Sequence, residues 1–495
     1  MEQKKKNQAK RNLWLFPLGT VGRDAVYCLV NSYLLTYVLF THSLTAAQLG
    51  AVTAIMIVAR IFDALNDPIM GNIIERTRSR FGKFKPWLTA GVLSTSVVVY
   101  LMFNVQLQGW SFIWFFGVMY FAFSITFTMN DISYWGMIPA LSSDANTRNQ
   151  LTSRATLFAG IGSTLASILI PMLTTGSGAI GGSTSVAYGR IGLVIAILAP
   201  LFLAVTILGV REHRETVRKE QPRFSLKEVF GAILRNDQLV WIAVILLVQQ
   251  IGNGLIIGGL GSTYIYFTFG YDGGLYSLFT TVGMSATAVM MVCYPMISRK
   301  LHRRQIMRGL AVLGCIGYGI MLVAGLLPGA GTVKFVGLVA GYLFANFGQY
   351  GFYLIMMISV MNTVEYNEYR FGVRDEAIIT SVRPFITKLG SALVVALTSA
   401  TYLIFGATNF TNQISELEQQ CTQGLVTEAE KLEQISGVLT GISGGQVTGL
   451  LLCMTILPCA MMVASYVLYQ KKYRLDEEEY ERICQELERK AGAEQ

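Results

Sequence analysis

Residues 46–74, AAQLGAVTAIMIVARIFDALNDPIMGNII, decide how this chain is read. The stretch exceeds the roughly 20 apolar residues that a helix needs to cross a bilayer. It nonetheless carries Arg60, Asp63 and Asp67. Backbone polar groups at hydrocarbon depth must be bonded within their own segment, so a helix is predicted. A strand would need a closed barrel and alternating apolar residues, and that patterning is absent. Charges on such a helix cost about 2.5–3.5 kcal/mol each on insertion scales, so they usually pair and usually serve function.

Eleven further apolar segments run outward from this one, near 15–41, 87–106, 111–139, 151–175, 189–210, 236–269, 275–298, 307–327, 334–363, 376–405 and 447–470. The composition agrees: 53% of the 495 residues are hydrophobic and 14% charged, against about 25% charged in soluble domains. A disordered chain, a disulfide scaffold and an ordinary soluble enzyme are thereby excluded. The predicted fold class is an all-α membrane protein with twelve transmembrane helices in two pseudo-symmetric six-helix bundles. The run from residue 13 to 40 is too long for a signal-peptide core and reads as a retained first span.

Basic residues fall on alternate loops. Lys4, Lys5, Lys6, Lys10 and Arg11 precede the first span, and Arg76, Arg78, Arg80, Lys83 and Lys85 follow the second. Arg211, Arg214, Arg218, Lys219, Arg223 and Lys227 follow the sixth, Arg299, Lys300, Arg303, Arg304 and Arg308 the eighth, and Lys471, Lys472 and Arg474 the last. This asymmetry predicts both termini in the cytoplasm of a multi-pass plasma-membrane protein. It also explains the net charge of +9 without nucleic acid. The predicted organisation is a cytoplasmic N-terminus over 1–14, an N-terminal bundle over 15–210 and a cytoplasmic central loop over 211–235. A C-terminal bundle over 236–470 follows, with a long extracytoplasmic loop at 406–446, and then a cytoplasmic tail over 471–495. Basic loops recur after spans two and eight, as in duplicated transporters whose site lies between the repeats. Within the long loop, residues 414–439 read as one amphipathic surface helix.

The seven cysteines are scattered, odd in number and without a Cys-x-x-Cys pair, so neither a redox motif nor a zinc site is indicated. No phosphate-binding Gly-x-x-x-x-Gly-Lys-Ser/Thr loop, His-Glu-x-x-His or Gly-x-Ser-x-Gly motif occurs. No catalytic residue and no cofactor are predicted.

The informative residues are the charges inside the spans. Arg60, Asp63 and Asp67 project from one helical face. Pro68 has no N–H, which leaves the Ala64 carbonyl without its helical donor. Two carboxylates beside a freed carbonyl suit a small hard cation such as sodium, or a proton held between like charges. The alternative is a buried ion-pair network with Arg60 or Lys388. In the fourth span Phe127 and Thr128, Asp131 and Trp135 share a face. A sugar can stack its apolar side on an indole while its hydroxyls donate to an adjacent acid. Asp24, with Tyr27 and Asn31 on its face, is a second acceptor. Lys388 follows Pro384 by four residues and needs a carboxylate, with Asp63, Asp67 and Asp131 as candidates. Tyr353 is a candidate for lining the cavity.

The run from Arg60 to Gly71 continues through Arg76-Thr-Arg-Ser-Arg-Phe-Gly-Lys-Phe-Lys-Pro-Trp87. It resembles the second-span signature of the glycoside–pentoside–hexuronide cation symporters, a family of the major facilitator superfamily. Gly22-Arg23-Asp24, Asp131-Ile-Ser-Tyr-Trp135, Arg148-Asn-Gln-Leu with Arg154, Glu365-Tyr-Asn-Glu-Tyr and Lys388-Leu-Gly-Ser-Ala are similar to further motifs of that family. The resemblance implies the major facilitator fold and secondary transport of a sugar or glycoside with sodium or a proton. It implies that Asp63 and Asp67 bind the cation with Thr128 as an added oxygen ligand. By the same resemblance, Asp24, Asp131, Trp135 and Arg154 hold the sugar, Arg23 supports the sugar side, and Lys388 sits between the two sites. The chain departs from the family's best-known member in having Arg23 where that has lysine, Phe127 where it has tyrosine, a shorter interval from Arg148 to Arg154, and a longer outer loop. Two rivals use similar residues: a membrane enzyme acting on lipid-linked sugars, and a sensor that binds sugar without moving it.

Overall fold

The computed structural model describes residues 2–142, 144–210, 231 and 233–493. The described residues contain twelve helices long and apolar enough to cross a membrane. In chain order the helices are α1 (Glu2–Ser32), α2 (Leu34–Thr41), α3 (Ala46–Arg76), α4 (Lys85–Asn104), α5 (Gly109–Leu141), α6 (Ala145–Thr174) and α7 (Thr184–Gly209). Then come α8 (Asp237–Leu255), α9 (Gly261–Phe269), α10 (Gly273–Ile297), α11 (Arg303–Leu326), α12 (Thr332–Phe371), α13 (Glu376–Ile404), α14 (Ala407–Thr422), α15 (Glu428–Thr440), α16 (Gly444–Lys472) and α17 (Glu477–Ala493). Most of the central loop predicted over 211–235 lies outside the described residues.

The helix boundaries have local chemical causes. At the start of α3 the Thr45 hydroxyl accepts from the Gln48 backbone N–H, and the Gln48 side chain accepts from the Thr45 N–H. This reciprocal cap satisfies two of the donors that a helix start leaves open. α6 begins six residues before its predicted start, because the Asp144 carboxylate accepts from the Thr147 backbone and hydroxyl. α12 runs eight residues past its predicted end and stops where Gly372 takes a φ of 70°, a conformation that favours glycine. The seventh span is interrupted between α8 and α9 by a π-turn at Ile256–Leu260, where Gly259 has a φ of 128°.

Contacts divide the chain into two compact units. The first contains α1–α7 together with Ile265–Leu278 and Thr398–Gln446. The second contains residues 231 and 233–264, then Phe279–Leu397 and Val447 onward. In the first unit α1 packs on α6 and α7, α4 on α5 and α7, and α3 on α5. Close approach is built in at Gly22, where an added Cβ would meet the Ala199 backbone at 2.6 Å, and at Gly91, where it would meet the Asn130 backbone at 2.8 Å.

The long loop does not form the single surface helix predicted over 414–439. Gly424, with a φ of 75°, and the capped turn at Thr427 break it into α14 and α15. Its buried residues include Ile414, Ser415, Glu418, Lys431 and Ile435, whereas Leu425 is exposed. Lys431 Nζ donates to Glu418 Oε2 at 3.3 Å and to the Gly182 carbonyl at 2.6 Å. Glu418 also accepts from the Thr184 backbone and hydroxyl at 2.7 and 2.9 Å. Burial pushes the Glu418 carboxyl above its ordinary range, against the lowering pull of Lys431 and Thr184. Asn412 exchanges two bonds with the Leu44 backbone, and Gln419 donates to the Thr41 carbonyl. The hairpin is therefore fastened to the turns that precede α3 and α7.

In the second unit α17 follows the last span. Arg303 and Arg304, the first two residues of α11, pair with Glu477 and Asp476 at 3.4 and 3.1 Å.

Candidate functional site

Gly22 lets α1 lie close to α7, and the next two residues carry opposite charges. The Arg23 guanidinium donates from Nε and Nη2 to Asp24 Oδ2 at 3.0 and 2.7 Å, and from Nη1 to Asp131 Oδ1 at 2.9 Å. One cation thus holds two acids from two helices. Removing a guanidinium from water is unfavourable unless carboxylates compensate it, and here two do. Arg23 is 5% exposed and Asp24 17%, whereas the Asp131 side chain is 43% exposed. Asp131 is therefore the acid a ligand reaches most readily. Trp135 stands one turn along α5, and the guanidinium carbon lies 5.0 Å from its ring centroid and 5.0 Å from that of Tyr134. Tyr27 of α1 meets Phe127 of α5 with ring centroids 5.5 Å apart. Beside Arg23, Thr95, Ser96 and Asn130 line a small cavity.

The second constellation joins α3 to α5. The Thr128 hydroxyl donates to Asp63 Oδ1 at 2.8 Å and lies 3.4 Å from Asp67 Oδ1. Ser124, one turn earlier, donates to the same Asp63 oxygen at 2.9 Å. The helix continues through Pro68 without a break. Arg60 is buried, donates to Asn31 Oδ1 and lies 5.8 Å from the Tyr120 ring centroid. Carboxylate and hydroxyl oxygens are the donor set a hard cation takes. A single turn of α5 carries both constellations, because Thr128 and Asp131 are three residues apart.

The other predicted residues have different surroundings. Arg154 donates to the Leu13 carbonyl at 3.3 Å, and its guanidinium lies 4.7 Å from the Trp14 ring centroid. Leu13 is eleven residues before Asp24 on α1, about 16 Å along the helix axis, so Arg154 is not gathered with the two acids. Tyr353 of α12 and Lys388 of α13 belong to the second unit. The Tyr353 hydroxyl accepts from Arg383 Nε and Nη2 at 3.1 and 2.8 Å. Ser391 donates to the Lys388 carbonyl.

Sequence reasoning passed over two residues, Ser124 and Arg383. Arg383 had a signal, as a charge five residues before Lys388 in an apolar segment. Ser124 had none, because serine is ordinary in apolar helices.

A family model described as MFS/sugar transport protein matches residues 15–430. A lactose permease of Lactobacillus delbrueckii subsp. bulgaricus is 28% identical over 491 residues, covering 96% of this chain and 72% of that protein. The raffinose carrier protein of Pediococcus pentosaceus is 27% identical over 494 residues, covering 96% and 71%. A crystal structure of a D-xylose–proton symporter shares the fold with a TM-score of 0.59 at 13% identity, covering 86% of this chain and 99% of that one.

Proposed function

The chain belongs to the MFS/sugar transport protein family, as a glycoside–pentoside–hexuronide-type member of the major facilitator superfamily, and from that premise we propose that it couples a cation to a sugar or glycoside at the two constellations on α5. It is a transporter and not an enzyme, which removes the rival acting on lipid-linked sugars. The proposed cycle is alternating access in the plasma membrane with both termini cytoplasmic, an orientation that the basic asymmetry of the loops supports.

Asp63, Asp67 and Thr128 are assigned to the cation. Their all-oxygen donor set favours sodium, and a proton would use the same carboxylates. Asp24, Asp131 and Trp135 are assigned to the sugar: its hydroxyls donate to the acids while a ring face stacks on the indole. Arg23 competes for the same carboxylate oxygens, so a sugar that satisfies Asp131 loosens the guanidinium's hold. Arg60 and Lys388 are assigned to the surrounding charge network. Arg154 and Tyr353 are further candidates for the sugar path, Arg154 from the Leu13 end of α1 and Tyr353 from α12. The observation that carries this reading is the Arg23 bridge between Asp24 and Asp131, on the same turn of α5 that binds Asp63 through Thr128.

Purified protein in sealed vesicles tests it, with a panel of labelled glycosides and with sodium and pH gradients varied separately. Wild type should concentrate at least one glycoside under one of the gradients, and Asp67→Cys should lose that uphill uptake. Full concentrating uptake by the variant would remove Asp67 from the coupling. Sugar binding without movement would favour the sensor.

A further inference from the structure

Ser124 stands four residues before Thr128, so the two hydroxyls lie one above the other on one face of α5. Serine and threonine in apolar helices commonly turn the hydroxyl back to the carbonyl one turn earlier. Thr126, on another face of the same helix, does so toward Ala122 at 2.9 Å, and Thr53 on α3 does so toward Leu49 at 2.8 Å. Ser124 and Thr128 instead donate across to α3, and both reach the same Asp63 oxygen, at 2.9 and 2.8 Å. Ser124 is 8% exposed and Thr128 3%, so bulk water does not substitute for either.

We propose that Ser124 is a ligand of the coupling cation and helps to set which alkali cation the site prefers. The proposal rests on the assignment of Asp63 and Asp67 to that cation. A hydroxyl has one donor and two lone pairs. A cation seated against Asp63 replaces the two hydroxyl protons there. Each hydroxyl then turns its proton toward the carbonyl one turn earlier, that of Tyr120 for Ser124, and offers a lone pair to the ion. No bond to hydrogen breaks, and Asp63 exchanges these two hydroxyl donors for the ion. Ser124 thereby adds a fourth oxygen-bearing side chain to Asp63, Asp67 and Thr128. Cation selectivity follows ligand number and cavity size. With α3 packed against α5, a second hydroxyl one turn from the first limits how closely the ligands can close around a smaller ion.

The test is a calorimetric titration of purified full-length protein with sodium chloride and lithium chloride at ionic strength held constant with choline chloride, without sugar. Ser124→Ala should weaken sodium binding about tenfold, the order for loss of one hydrogen-bonding contact to a charged group, and should change the lithium-to-sodium affinity ratio. Ser124→Thr, which keeps the hydroxyl, should restore affinity to near wild type. Thr126→Val, on the other face, controls for general loosening of α5 and should leave the ratio unchanged. If Ser124→Ala titrates like wild type with both cations, the Ser124 role is overturned while the Asp63 and Asp67 assignment stands. If wild type itself binds neither alkali cation, the Ser124 role is overturned, while Asp63 and Asp67 can still carry a proton, which the pH-gradient uptake decides. If Ser124→Ala does not fold, Ser124→Cys, which puts a soft thiol in place of the hydroxyl, is titrated instead: a lowered sodium affinity with a changed cation ratio supports the role, and any other result overturns it.

Discussion

At the scale of single residues, the Arg23 guanidinium holds both acids that the proposed function assigns to the sugar. It is more deeply buried than either acid it holds, so it is difficult to displace as a whole, while the better exposed Asp131 can exchange one donor for another. Asp131→Asn should weaken sugar binding by roughly 1.5–3 kcal/mol, the range for hydrogen bonds to a charged group, and toward the lower end because Asp131 is partly screened by solvent. Calorimetric titration with the transported glycoside checks this, and an unchanged affinity would count against Asp131 as a sugar ligand. A second residue-scale effect lies in the turn after α2. His42 is buried, bonds the Thr41 hydroxyl through Nδ1 at 2.8 Å and stacks on Phe112 with ring centroids 3.7 Å apart. Burial pushes its pKa down to about 3 from an ordinary 6.5. The unfolded chain therefore takes up the proton first. The contribution of His42 to stability is complete above pH 6.5 and is lost as pH falls toward 3, at up to about 1.4 kcal/mol per pH unit. Thermal unfolding in detergent should shift downward between pH 6.5 and 5 in wild type and less so in His42→Gln. Parallel pH profiles for the two proteins would contradict this account.

At the scale of elements, the α14–α15 hairpin shows how a polar insert becomes a packed part of its unit. Glu418 and Lys431 are both fully buried, and each is satisfied by partners on the turn before α7 as well as by the other. Removing one partner of such a pair leaves an uncompensated charge and costs about 3–5 kcal/mol, whereas replacing both with apolar groups is often close to neutral. Lys431→Met should therefore undock the hairpin, and Glu418→Met combined with Lys431→Met should largely restore it. Limited proteolysis between α14 and α15 reads this directly. Equal protection of the single variant and wild type would show that the pair does not hold the hairpin. Apolar periodicity pointed to an amphipathic segment here. The break at Gly424 and the burial of two charges were not legible, because they depend on which carbonyls and hydroxyls the neighbouring turns present.

At the scale of the whole molecule, one turn of α5 belongs to both constellations, so Asp63 and Asp131 are linked through three residues of rigid helix. If the cation and the sugar each favour the same arrangement of that turn, their affinities must rise together by a common factor. Titrating sugar with and without saturating cation, and cation with and without saturating sugar, should give equal ratios greater than one. Typical couplings are about 5–150-fold. A ratio of one in both directions would mean that the two sites do not communicate in the state titrated.

The amino-acid sequence by itself determined the twelve spans, because a bilayer requires long apolar segments with internally bonded backbones. It also singled out the acids, because a charge in such a segment is too unfavourable to be incidental. Only the tertiary structure decided the partners. Arg23 meets Asp131 across 108 positions of chain, Ser124 joins Asp63 across 61, and Glu418 meets Thr184 across 234. Periodicity specifies which face of a helix a residue occupies, whereas the choice of the atom it touches depends on where small residues such as Gly22 let two helices approach. The partners of Arg154 and the break in the long loop have the same origin: both come from neighbours that no local pattern encodes.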